Sequence, residues 1–271
     1  MHTTGMIERA LARDRLIVIV SLAVLVALCW LYLWHGAGTG MSVVAMSTWQ
    51  FPPPVPSVFM AADWSVGYLI LMLAMWWVMM IAMMVPSAAP MILLYSRVVG
   101  RAASRGQSLA TLGGTGIFLF GYLTIWLVFS VVATLGQYFL EISGLLDGMR
   151  MWSTSHTASA VILVAAGLYQ LTPVKAACLD HCRAPIAFLS QHFRPGNFGA
   201  WRMGLEHGAY CVGCCWVLMA LLYVGGTMNL VWIVGLTLLV LVEKLLARGR
   251  WLERGTGGVL IAVGVGLYLA G

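Results

Sequence analysis

The feature that most constrains this chain is a series of long apolar runs, most of them near 20 residues, with basic residues in the connections. At about 1.5 Å per residue, a helix needs roughly 20 residues to cross a hydrocarbon core of about 30 Å. The runs predict helices over residues 16–34, 65–84, 109–140, 157–171, 205–224, 229–246 and 257–270. The last is the shortest, at about 22 Å if helical. Only 9% of the residues are charged, against about 25% in soluble domains. Too few charges remain to cover a soluble surface, whereas lipid demands none. The expected fold class is therefore an all-α, polytopic transmembrane helix bundle of about seven helices, forming one domain over residues 1–271.

The first run is longer than the apolar stretch of a secretory signal and ends in Trp30, Tyr32 and Trp34, not in a small-residue cleavage site. It is expected to be a retained helix with an aromatic membrane-interface end. The net charge of +6 does not imply a nucleic-acid partner, because the cations sit in the short connections. Alternating the seven spans puts every one of the 15 Lys and Arg residues except Arg150 on one side. By the positive-inside rule that side, and the N-terminus, is expected to be cytoplasmic. The lipid bilayer is thus the first expected partner.

Five of the six cysteines fall in two short segments. One is CLDHC, with Cys178, His181 and Cys182; the other is HGAYCVGCC, with His207, Cys211, Cys214 and Cys215. At 100° per residue, His207, Cys214, Cys211 and Cys215 project at about 0°, −20°, 40° and 80°, within one helix face. Cys178 and Cys182, four apart, share a face if helical. The charge bias puts both segments at the cytoplasmic end, where thiols stay reduced. Thiolates select soft or borderline ions, Cu(I) or Zn(II). Two readings without a transported metal stand beside this one. Cys211 and Cys214 have the spacing of a redox pair, which suits a membrane thiol–disulfide oxidoreductase. A Cys/His set also suits a structural zinc site in a scaffold.

The second run carries Met72, Met75, Met79, Met80, Met83 and Met84. Met75, Met79 and Met83 project at about −60°, −20° and 20° from Met72, and Met80 and Met84 adjoin them. Thioether sulfur ligates Cu(I) and is a poor partner for Zn(II), so Met79, Met80, Met83 and Met84 join the candidate ligands. Methionine also fills irregular apolar cores, which is the other account of the stripe. Pro86 and Pro90 are expected to break or kink the helix beside it. Glu243 and Lys244 interrupt an apolar run, where polar groups are costly, and Glu206 is placed to orient His207. Glycines 113, 114, 116, 258, 264 and 266 are expected at close helix contacts. On the other side, PPPVP predicts a stiff extended connection. His35, Met41, Met46, Asp63 and His156 are scattered there as possible ion contacts.

The segments MMIAMMVPSAAPM, LTPVKAACLDHCRAP, HGAYCVGCCWVLM and GGTMNLVWIVGLTLLVLVEKL together resemble a bacterial family of predicted metal-binding integral membrane proteins. The resemblance runs from about Met72 to Lys244. It implies a bacterial inner-membrane location and a metal site, without naming a metal or a reaction. The chain shows no P-loop and no recognisable phosphorylated aspartate, so any transport is expected to run down a gradient or through a partner. The expected function is binding and handling, or transporting, a soft ion, with Cu(I) favoured over Zn(II). A metal-delivering or metal-accepting protein is the expected second partner.

Overall fold

The computed structural model describes residues 2–54, 62–104, 112–246 and 249–270. The expected helix start at 109–111, along with Arg105, Arg248 and Pro56, lies outside them. The described chain is helical: α1 (His2–Trp34), α2 (Val66–Ser104), α3 (Leu112–Ile142), α4 (His156–Gln170), α5 (Pro173–Arg183), α6 (Pro185–His192), α7 (Gly196–Ala220), α8 (Leu222–Gly225), α9 (Leu230–Leu241) and α10 (Trp251–Ala270). Five of these are long and apolar enough to cross a membrane, and α4 with α5, bent by 63°, makes a sixth. Two expectations change here. The segment expected as a sixth span is α9 followed by a wide π turn at Val242–Leu246. The last helix starts at Trp251, so it is 20 residues long rather than 14.

Local chemistry sets the breaks. Asn229 caps α9 by accepting from Val231 N, and Ser155 caps α4 by accepting from Ala158 N. Thr172 accepts from Lys175 N, and Pro173, with no N–H to give the α4 ladder, opens α5. CLDHC is thereby helical and turned away from the α4 axis.

Of the break or kink expected at Pro86 and Pro90, no break occurs: both lie inside one continuous helix. Around them the backbone finds other donors. The Ser87 hydroxyl and the Tyr122 hydroxyl both donate to Met84 O, at 2.8 and 3.3 Å.

α1 packs on α2, α2 on α3, α3 on α7, α5 on α7 and α4 on α10. The closest crossing is α3 with α7. A Cβ on Gly204 would lie 2.1 Å from Phe118 O, and one on Gly121 would lie 2.3 Å from Trp201 O. The glycines expected at contacts mostly are not: Gly113, Gly116, Gly258 and Gly266 face open space. Gly264 does pack, against Ala160 and Val164, and Gly167 and Gly257 meet in the same α4–α10 seam. Glycine counts in a run do not reveal which face meets a neighbour. Gly204→Ala is expected to push α3 off α7 and cost about 1–3 kcal/mol by overpacking. A thermal unfolding series in detergent measures it, and an unchanged midpoint would refute the close crossing.

Candidate metal centre

The thiol-bearing face of α7 is buried: His207, Cys211, Cys214 and Cys215 are each 3% exposed or less. That agrees with the single face the spacing predicted. The connection expected between Cys182 and His207 is itself folded, as α6 and the first half of α7, and it brings α5 against α7. Cys182 Sγ and Cys214 Sγ are 3.9 Å apart. Cys182 lies against Cys211 as well, and Cys215 lies against both Cys211 and Cys214. The thiols of Cys214 and Cys215 donate to Cys211 O, at 3.1 and 2.9 Å. Cys178 is different: its sulfur would be 2.8 Å from a Cβ on Gly213, so it packs on that glycine.

The methionine row reaches the cluster at one point. Met84 Sδ is 3.8 Å from Cys215 Sγ. Met72, Met75, Met79, Met80, Met83 and Met84 all have no exposed surface, so the row is an interior one, about 18 Å from Met72 to Met84. Met79, Met80 and Met83 lie along it behind Met84. With a metal–sulfur bond of about 2.3 Å, the Cys182–Cys214 spacing of 3.9 Å subtends about 116° at one ion. The Cys215–Met84 spacing of 3.8 Å subtends about 111° by the same bond length. Either sulfur pair can close on a soft ion without a large backbone shift. Among the described residues, no three His, Cys, Asp or Glu side chains are already gathered around one point.

Charge organises the rest. Lys244 Nζ donates to Cys211 Sγ at 2.8 Å and to Ser87 Oγ at 3.3 Å, and the Tyr122 hydroxyl is 3.1 Å from the same sulfur. The Lys244 ammonium so placed gives the Cys211 sulfur a charged hydrogen-bond donor. Lys244 is aimed by a second buried network. Glu243, 2% exposed, pairs with Lys175 at 2.7 Å and accepts from Gln170 Nε2 at 3.0 Å. Lys175 Nζ also donates to Gln170 Oε1. Arg183 donates to Glu243 O at 2.8 Å and pairs with Glu253 at 2.6 Å. These contacts tie α4, α5 and α10 to the π turn that carries Lys244.

Several expectations are corrected here. Lys175 and Lys244, counted among the cations of basic connections, are 1% and 7% exposed and serve the interior. Glu206 does not orient His207. It pairs with Arg194 at 3.0 Å and with Arg202 at 3.3 Å, while His207 Nδ1, buried amid the rings of Phe118, Tyr122 and Phe188, has no hydrogen-bond partner among the described residues. His181 stacks on Tyr210 with ring centres 4.1 Å apart, and its Nδ1 faces Ala177 O. Along the bundle the cluster lies level with the middle of α1. Val85 and Pro86, next to Ser87, share a groove with Leu22 and Val26. That is the middle of the apolar length of α1, residues 15–34. The ion pairs let polar side chains sit at that depth. Sequence reasoning missed Gln170, Lys175, Arg183, Tyr122 and Ser87. The one usable signal was Glu243–Lys244 itself, since buried charges require partners.

Over residues 73–267 the chain matches the family model described as PpoB2: Copper chaperone. The chain belongs to this copper-chaperone family. The matched segment holds every thiol of the cluster, the row from Met75 to Met84, and both buried ion pairs. Family membership supports copper as the metal handled, in agreement with a donor set of thiols and thioethers. No curated protein and no solved structure matches the chain.

Proposed function

We propose that the protein spans the bacterial inner membrane, N-terminus inside, binds Cu(I) within its helix bundle, and hands the ion to an acceptor protein on the cytoplasmic side. The Met72–Met84 row is the conduit, and Cys182, Cys211, Cys214 and Cys215 are the holding site. The observation that carries this is the 3.8 Å contact of Met84 Sδ with Cys215 Sγ, which makes thioether row and thiol cluster one continuous sulfur lining. The copper-chaperone family supports copper as cargo. Cys178 and Cys182, the half-buried members, are the ones an acceptor's thiol reaches first. Twelve-residue α9 and the bent α4–α5 pair complete the bundle around the site.

The test is elemental analysis of the purified protein, alone and with Cys211, Cys214 and Cys215 changed to serine. Copper in the wild type and its loss in the triple variant are expected. Equal copper in both would overturn the reading. Stoichiometric zinc, with loss of fold on chelation, would instead make the cluster a structural staple.

A thiol–disulfide oxidoreductase is the second reading, favoured by the Cys182–Cys214 approach and the Lys244 ammonium beside Cys211. It requires a Cys182–Cys214 disulfide to form under mild oxidant and to be re-reduced by a dithiol. Mass spectrometry of alkylated peptides decides the matter.

A further inference from the structure

At the other end of the methionine row, away from the thiols, a chain of hydrogen bonds has only one consistent assignment. Trp76 Nε1, which can only donate, gives to Gln137 Oε1 at 2.8 Å. Gln137 therefore presents its Nε2, which donates to Glu141 Oε1 at 2.9 Å and to Met72 Sδ at 3.6 Å. Trp64 Nε1 donates to Glu141 Oε2 at 2.9 Å. Both carboxyl oxygens accept, from neutral donors. Glu141 is 2% exposed, and among the described residues it pairs with no Lys, Arg or His. A buried carboxyl carries a stable charge only when it is paired or holds a cation.

An open cleft of about 500 Å³ is linked to this group through Tyr68 and Trp64 and is lined by Met41, Asp63, Tyr68, Met149 and Met151 among others. Tyr68 and Trp64 connect cleft and carboxylate: their rings are in edge contact at 5.0 Å, and Trp64 holds Glu141. Met151 lines the cleft from a left-handed backbone, φ 58°. Two hydrogen bonds hold it there, Met151 N to Asp147 O at 2.8 Å and Thr227 N to Met151 O at 3.0 Å. A bulky residue in that conformation is strained and persists only where surrounding structure over-determines it.

We infer that this cleft is a second soft-cation site, a loading site at which Met41, Met149 and Met151 capture monovalent Cu(I) or Ag(I), and that Glu141 supplies the charge drawing the ion inward to Met72. Three thioethers set its preference for soft ions, and the carboxylates of Asp63 and Glu141 set its preference for a positive charge. The inference rests on the proposed function only in its direction of travel; binding in the cleft stands alone.

Ag(I), inert to redox cycling, is the probe, with the full chain in detergent. Bound silver is counted in the wild type, in M41L/M149L, in E141Q and in the Cys182, Cys214 and Cys215 to serine variant. Met41 and Met149 are half-buried and exposed, so leucine there leaves the fold intact and that variant remains decisive even if E141Q unfolds. The expected result is one equivalent fewer in M41L/M149L, at least tenfold weaker binding of that equivalent in E141Q, and its full retention in the thiol variant. Wild-type silver content and affinity in M41L/M149L would overturn the loading site. A thiol variant that binds as much silver as wild type would overturn the holding site instead.

Discussion

Glu243→Ala is expected to lower stability by about 3–5 kcal/mol, the range for removing one partner of a buried ion pair. Lys175, 1% exposed, would keep an ammonium with no anion beside it. Gln170 would lose its acceptor on the same carboxylate. The π turn would lose the contact that fixes its orientation, and with it the aim of Lys244 at Cys211. Thermal and denaturant unfolding in detergent measure the effect. The double variant Lys175→Met with Glu243→Leu is expected to recover much of the loss, because exchanging a whole buried pair for apolar side chains is often neutral or stabilising. A single Glu243→Ala change costing under about 1 kcal/mol would show that the pair is solvated and not a staple.

The second large effect concerns individual thiols. Cys182→Ala and Cys214→Ala are each expected to weaken Cu(I) binding by about 100-fold or more, about 2.7 kcal/mol. That is at least as large as the 10–100-fold loss usual when only an outer-shell partner of a metal site is removed. These two sulfurs face each other at 3.9 Å. Cys178→Ala is expected to cost less than about tenfold, because its sulfur packs on Gly213 and only extends the route out. Competition with a Cu(I) chelator of known affinity gives the three constants. Equal losses at Cys178 and Cys182 would mean that the α5 thiols act as a pair, and the assignment of Cys214 as the partner would fall.

Some of the site was legible from local pattern because it depends on one helix at a time. His207, Cys211, Cys214 and Cys215 share a face of α7 because residues three, four, seven and eight apart align at 3.6 per turn. The same rule placed the six methionines in one row, and all six are buried. What was read wrongly depended on neighbours. Pro86 and Pro90 end a helix that stands alone, yet α2 continues through both, packed between α1 and α3. Lys175 and Lys244 look like cations of exposed connections until Glu243 and the cluster are folded against them. Glu206 adjoins His207 in sequence but points to Arg194 and Arg202.

The sequence by itself determined the helical class, the lengths of the apolar runs, the soft chemistry of the donors, and which donors line one face. Each follows from side-chain chemistry and a period of a few residues. Only the tertiary structure decided which sulfurs meet, that the cluster lies at mid-length of α1 rather than at its basic end, and that Lys175, Glu243 and Lys244 are interior. It alone joined Glu141 to Met72 through Gln137. Those contacts join residues scores of positions apart. Their pairing is set by the close α3–α7 crossing at Gly204 and Gly121 and by the bend at Pro173, and no single helix's pattern encodes either.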